Sequence, residues 1–318
     1  MSKKQVAILG ATSHIAKGLV DNFLKHRKDY ELFLFIRSPE KLKSFLDSCN
    51  YTDFPDKQIL SFSAFNTNEY DVIINCVGVG TPKGYENLEE NILELTERFD
   101  SLVLNYLKKH PDKLYINFSS GAVYGKDYSE PISIKTKLAL DVNNVGDKDF
   151  YLIAKLNSEA KHRALKSFNI VDLRVFSYFS RFIDLSAGFL LTELINCIKN
   201  KEIFITNSQD IVRDFVHPQD LFSLIEKIVQ KKEAINDFYD VYSKAPIKKL
   251  ELIAFFVKEY NLKYQIKDDL NIANTTGIKT FYYSINKKAQ AIGYRPQYSS
   301  LECIKKESKE IVKTRKEF

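Results

Sequence analysis

The sequence predicts an α/β protein, a doubly wound parallel sheet of the Rossmann type carrying a smaller, interleaved α/β domain for a substrate. Three observations lead there. Short β-branched runs alternate with helical stretches through the first half of the 318 residues. Those runs are apolar along their whole length rather than at every second position. The first of them, VAIL, passes through Gly10 directly into a helical pattern. Strands apolar on both faces and separated by helices belong to a parallel sheet covered on both sides.

Strands are expected at Gln5–Leu9, Leu32–Ile36, Gln58–Phe62, Asp71–Val77 and Leu114–Ser119, with Ile170–Val175 continuing the sheet. Helices are expected at Ile15–Lys25, Pro39–Ser48, Leu88–Lys109 and Tyr151–Ser167. Only Asn66 to Tyr70 separate two of the strands, too few for a crossover helix, so that connection should be reduced. Beyond Ser177 the rhythm loosens. A helix at Ala187–Lys199, a strand at Glu202–Thr206, a helix at Leu221–Lys231, a strand at Phe238–Tyr242 and a helix at Lys249–Tyr260 follow, then a polar stretch, Lys267–Lys279, and a last helix. The division expected is a dinucleotide-binding domain over 1–175, to which parts of 205–232 return, and a substrate-binding domain over 176–318.

Composition excludes several classes. Hydrophobic residues are 44% and charged residues 28% of the chain, enough apolar matter for a sizeable core. No apolar run reaches the ~18 residues of a membrane span, and MSKKQVAILG lacks the length and cleavage site of a signal peptide. Cys49, Cys76, Cys197 and Cys303 are far apart and without histidines at ligand spacing, which argues against a zinc site or a disulfide framework and fits a reducing cytoplasm. The net charge is +6, and 38 of the 47 basic residues are lysines scattered on helical faces. A nucleic-acid surface more often clusters arginine with exposed aromatics, so neither nucleic acid nor membrane is expected as a partner.

Three segments carry chemistry. In VAILGATSHIAKGLV, Gly10 makes the turn between strand and helix, and the helix N-terminus offers amides and a favourable dipole to a pyrophosphate. A G-x-x-G-x-x-G loop would have glycine where Ser13 and Ala16 stand. Alanine still permits close helix–strand packing, and the Ser13 hydroxyl can donate to phosphate. At the end of the second strand, where an NAD site places a carboxylate, stand Arg37 and Ser38, with Lys41 one turn on. A guanidinium grips phosphate, so the reading is NADP(H), with NAD as the alternative. The third segment pairs FSSGAVYG, Phe118–Gly125, with Tyr151 and Lys155 at i and i+4 on one helix face. There an ammonium stabilises the phenolate, Tyr151 passes a proton near neutral pH, and Ser120 hydrogen-bonds the same substrate oxygen.

With these segments the chain resembles the extended short-chain dehydrogenases/reductases, in the nucleotide-sugar epimerase/dehydratase/reductase branch. The resemblance spans nearly the whole length: GATSHIA, DVIINCVG at Asp71–Gly78, SSGAVYG at Ser119–Gly125, EP at Glu130–Pro131, YLIAKLNSEA at Tyr151–Ala160, LRVFSYFS at Leu173–Ser180, RDFVHPQDL at Arg213–Leu221 and GYRPQYSSLE at Gly293–Glu302. It implies that Ser120, Tyr151 and Lys155 form the catalytic set, with Lys155 also touching the nicotinamide ribose. Gly10, Thr12, Ser13, His14, Ile15, Arg37, Cys76, Val77 and Gly78 then make the cofactor groove, His14 as a structural part of the turn. Gly121 and Ala122 stand where 4,6-dehydratases carry an Asp–Glu pair, so dehydration lacks its acid and base. Arg213 resembles the arginine that holds the substrate's diphosphate, rather than pairing with Asp214 at the surface. Ser177 replaces an asparagine common in the family, and Lys279 stands near a missing second arginine.

The function expected is NADP(H)-dependent reduction of a nucleotide-linked 4-keto-deoxy sugar, with 4-epimerisation on tightly bound NAD as the alternative. A homodimer through Leu88–Lys109 and Tyr151–Ser167 is a family habit. His162 is read as packing or solvent-facing, and Tyr124 as packing beside the site.

Overall fold

A computed structural model describes residues 2–78, 92–125, 127–138, 140–268 and 279–313. In chain order its strands are β1 (Lys4–Leu9), β2 (Tyr30–Phe35), β3 (Ile59–Leu60), β4 (Val72–Asn75), β5 (Leu114–Ser120), β6 (Asn169–Val175), β7 (Ser177–Tyr178), β8 (Ile203–Thr206), β9 (Val212–Arg213), β10 (Phe215–Val216), β11 (Asn236–Val241), β12 (Ile247–Lys248), β13 (Lys263–Ile266) and β14 (Phe281–Tyr282). The helices are α1 (His14–Lys25), α2 (Pro39–Ser48), α3 (Ile92–Leu107), α4 (Asp147–Ala164), α5 (Leu190–Asn200), α6 (Pro218–Val229), α7 (Lys249–Tyr260) and α8 (Ser300–Lys313). The expected helix start at Leu88 and most of the polar stretch 267–279 lie outside the described residues.

Seven strands form one parallel sheet in the order β11-β6-β5-β4-β1-β2-β3. Val6–Leu9 of β1, Leu32–Phe35 of β2 and Val72–Ile74 of β4 are continuously apolar because both faces of the sheet are covered. Val6 and Ile8 of β1 point into one core with α1, α2 and α6, while Ala7 and Leu9 point into the other with Phe65, Tyr70 and α3. The order reverses between β1 and β4, and the crevice beyond their carboxyl ends is where this architecture receives ligands. A separate core of Phe179, Leu194, Ile195, Phe204, Ile253 and Phe256 holds the C-terminal elements together.

Several boundaries differ from expectation for local reasons. Gln58–Phe62 shrinks to the two residues of β3, because Gln58 closes one 3₁₀ turn and Phe62–Thr67 forms another, which replaces the crossover helix. Helix α4 begins one turn before Tyr151, since the Asp149 carboxylate accepts the Gly146 amide at 3.0 Å. Tyr151 and Lys155 therefore sit inside a helix already started and capped. Helix α6 starts at Pro218, not Leu221, with His217 as its cap and proline at a first-turn position. The strand expected at 238–242 is β11, and it pairs with β6 at the edge of the main sheet.

His162 does not face solvent. It is fully buried, with Nδ1 2.9 Å from Asp172 and Nε2 2.7 Å from Asp100. Burial alone favours the neutral ring, but the hydrogen bonds to the two carboxylates outweigh it and raise its pKa to about 9. Because Asp100 belongs to α3, Asp172 to β6 and His162 to α4, this ionic node fixes α4 against the sheet.

Candidate active site

The β1–α1 turn is shaped by Gly10. Its φ is +73°, and a Cβ there would lie 3.1 Å from Val77 Cγ2 and 3.2 Å from the Cys76 carbonyl carbon and oxygen. Only glycine fits a left-handed turn this close to another strand's backbone. The Gly10 amide donates to Phe35 O, and the Ser13 amide returns to Gly10 O. Ser13 is the cap of α1, its Oγ accepting the Ala16 amide at 3.4 Å. That role uses an acceptor site, so its proton stays available. Ala16 is fully buried against the sheet.

Thr12 and Ile15 are half-buried at the same helix start, and no acidic residue occupies the first turn of α1. The His14 ring lies edge-on to Tyr178 at 4.9 Å, and burial lowers its pKa to about 4, so it is neutral and structural. Arg37 is exposed past the end of β2 and, among the described residues, has no carboxylate partner. This combination of a glycine cradle, free helix amides and an unopposed guanidinium fits a dinucleotide carrying phosphates.

The neighbouring strand end presents Cys76, Val77 and Gly78. Asn75 Oδ1 accepts the Val77 amide at 3.0 Å, and Asn75 Nδ2 donates to Tyr115 Oη at 3.2 Å, which fixes the course of the chain there. Burial pushes the Cys76 thiol well above its usual range, so it is not a thiolate. A Cβ on Gly78 would lie 3.7 Å from Lys155 Nζ. Lys155 thus reaches from α4 across to the end of β4. Its ammonium donates to Phe118 O at 2.8 Å and lies 5.9 Å from the Tyr151 ring centre. Ser120, the last residue of β5, accepts the Ala122 amide at 3.1 Å. Strand ends and one helix face therefore bring the three expected residues to the crevice.

Gly121 and Ala122 open a 3₁₀ turn after β5. A Cβ on Gly121 would meet the Phe176 ring at 2.4 Å. The place of the missing carboxylate is filled by an aromatic ring, which accounts physically for the departure seen in the sequence.

The substrate side holds two half-buried cations. Arg213 does not pair with Asp214; its Nη1 donates to the carbonyls of Val212 and Lys279 at 2.8 and 2.7 Å. Asp214 is buried and accepts the Ser243 amide. Lys279 Nζ lies 4.4 Å from the Tyr282 ring centre and 5.2 Å from that of Tyr128. Burial, then the nearby Arg213 charge, lowers Lys279 to about 8, and burial lowers Arg213 to about 10. Neither has an ion-pair partner among the described residues, and two such cations together suit an anion of more than one charge. Ser177 sits in β7 opposite Phe215, half-buried. Tyr124 is a packing residue, its hydroxyl held between Asp240 and Arg174.

Sequence reasoning missed Tyr282. Its hydroxyl is 3.3 Å from Ser120 Oγ, and its ring packs edge-on to Tyr128 and Phe176 at 4.9 and 5.2 Å. Tyr128, also missed, donates to Gly121 O at 2.9 Å.

Comparison with known proteins agrees with this geometry. Residues 6–241 match the model of the NAD dependent epimerase/dehydratase family. No curated protein sequence matches the chain. Among solved structures, a UDP-N-acetylglucosamine 4-epimerase from Methanobrevibacter ruminantium, in complex with UDP-N-acetylmuramic acid, superimposes with a TM-score of 0.77 at 15% identity over 98% of each chain. A UDP-glucuronic acid 4-epimerase from Bacillus cereus, in complex with UDP-glucuronic acid and NAD, gives 0.77 at 16% identity, covering 96% of this chain and 98% of its own. A dTDP-glucose 4,6-dehydratase from Bacillus anthracis, in complex with NAD, gives 0.72 at 13% identity over 96% of each. At such identities the likeness is one of fold. The family match covers well over half of the chain, and with the parallel sheet and the crevice at its switch point it makes this protein a member of the NAD dependent epimerase/dehydratase family, among the extended short-chain dehydrogenases/reductases.

Proposed function

We propose that the chain reduces a nucleotide-linked 4-keto-deoxy sugar with NADPH. The observation that carries this reading is Lys155, which lies beside Tyr151 and is bonded to the β5 carbonyl of Phe118 two residues before Ser120, with the Arg213–Lys279 cation pair on the substrate side. The nicotinamide, when bound, supplies a hydride to the carbonyl carbon. Tyr151 gives its proton to the carbonyl oxygen, so that ketone plus hydride plus proton becomes the alcohol. Ser120 donates a hydrogen bond to that oxygen and holds it in place. Lys155, anchored on Phe118 O, keeps a positive charge beside the phenol as its proton leaves.

Gly10, the amides of Thr12, His14 and Ile15, the Ser13 hydroxyl, and Cys76 to Gly78 would hold the dinucleotide, and Arg37 would take a 2′-phosphate. Arg213 and Lys279 would grip the diphosphate that links nucleotide to sugar, and Ser177, in β7 opposite Phe215, would make a further substrate contact. Phe176 over Gly121 leaves no carboxylate to remove water, so elimination is not proposed. A dimer through the outer faces of α3 and α4, where Leu93 is exposed, is part of the proposal.

The alternative, equally supported by the family description, is a 4-epimerase that keeps NAD through the cycle. The same residues serve it, with Tyr151 taking the proton before returning it. Acid release and identification of the nucleotide in purified protein separates the two. NADPH consumption with a UDP-linked 4-keto-6-deoxy sugar supports the reductase; stoichiometric NAD with interconversion of UDP-sugars supports the epimerase and overturns it.

A further inference from the structure

We propose that Tyr282 is a positioning residue that fixes the Ser120 hydroxyl as a hydrogen-bond donor toward the reacting oxygen. The inference rests on the role given to Ser120 above. A serine hydroxyl has one proton and two lone pairs. The Ala122 amide fills one lone pair at 3.1 Å. The Tyr282 hydroxyl, at 3.3 Å, fills the second if the phenol is the donor. Then the only hydrogen bond Ser120 still has to make is the one it donates, and that proton points to the substrate.

The surroundings make the phenol the donor. Among the described residues the Tyr282 hydroxyl has Ser120 Oγ as its hydrogen-bond partner, so a phenolic proton that is to be satisfied goes to Ser120. Burial holds the phenol well above its usual range, so it keeps that proton at any working pH. The ring is fixed in place. Strand pairing sets Tyr282 opposite Arg213, Tyr128 and Phe176 pack against it edge-on, and the Lys279 ammonium and the Arg213 guanidinium lie 4.4 and 5.8 Å from its centre. Tyr282 is therefore a partition between the reacting centre and the cation pair. It belongs to a different part of the chain from Ser120, 162 residues away, so closure of the C-terminal elements over the sheet is what orients the serine.

Two measurements test this. In the full chain with 3-fluorotyrosine at position 282, the fluorine resonance should move on Ser120→Ala; a resonance indifferent to that change overturns the proposal. This readout needs no substrate, so it decides on Tyr282 even if every nucleotide-linked sugar fails as a substrate, which would overturn only the functional reading. With UDP-4-keto-6-deoxyglucose, or a UDP-sugar the wild type epimerises, Tyr282→Phe should lower kcat roughly two- to tenfold, the worth of one hydrogen bond, with KM nearly unchanged. In a Ser120→Ala background it should cost nothing further. Independent, multiplying losses in the double variant would overturn the coupling.

Discussion

Replacing Gly10 with alanine tests the cofactor cradle most simply, because the structure states what the added methyl would meet. At φ +73° an L-residue costs about 1–2 kcal/mol. The new Cβ would also press on the Cys76 carbonyl at 3.2 Å and on Val77 Cγ2 at 3.1 Å. The carbonyl belongs to the backbone that continues β4 and cannot rotate away, so crowding adds about 1–3 kcal/mol. The total is about 2–5 kcal/mol, and in a chain of this size that lowers the melting temperature by roughly 3–7 °C.

Gly78→Ala is the matched control. Among the described residues its added carbon meets only Lys155 Nζ, at an ordinary 3.7 Å, and no left-handed backbone is involved. It should melt within about 1 °C of wild type yet bind dinucleotide roughly 5- to 150-fold more weakly, because it protrudes into the proposed groove. Differential scanning fluorimetry with and without NADP and NAD reads both effects. If Gly10→Ala melts like wild type and binds either dinucleotide equally well, the cradle argument fails. If Gly78→Ala binds dinucleotide normally, Gly78 does not line the groove.

Two further outcomes follow from other parts of the chain. Arg37→Glu should weaken NADPH binding roughly 10- to 100-fold by removing a charge-assisted hydrogen bond and adding repulsion, with NADH affinity held or improved; isothermal titration showing neither change would remove the basis for NADP preference. The pKa of His162, raised from 6.5 to about 9, makes its charged form a stabilising one. Its contribution is complete below pH 6.5, declines above it and is gone past about pH 9, a loss of about 3 kcal/mol. Urea unfolding across that range should show this decline in wild type and not in His162→Gln, which should be less stable below pH 6.5; parallel pH profiles would contradict the ionic node.

Much of this was legible where chemistry is local. The apolar runs marked sheet strands because both faces are buried, and Gly10 marked a turn because no other residue suits it. Tyr151 and Lys155 shared a face by helical spacing alone. What could not be read depended on distant partners. Nothing near Tyr282 says that it reaches Ser120, since the pairing of β9 with β14 brings it there. His162 looked like a residue of a packing or solvated face because its carboxylates come from α3 and β6. Gly121 was noticed for a missing carboxylate, but the ring that fills the space comes from Phe176, beyond β6. The helix start was misplaced by one turn because a buried Asp149 caps it, a local signal overlooked beside the more conspicuous tyrosine.

The most direct test follows the nicotinamide itself. Wild type and Tyr151→Phe are mixed with dinucleotide and nucleotide-linked sugars, NADPH with 4-keto sugars and NAD with their alcohols, and the absorbance of the reduced nicotinamide is recorded. The account predicts hydride exchange with a sugar in wild type, slowed roughly 10²- to 10⁴-fold in Tyr151→Phe, with the variant folded and still binding dinucleotide. Absence of exchange with every such sugar, or an unslowed Tyr151→Phe, would contradict it.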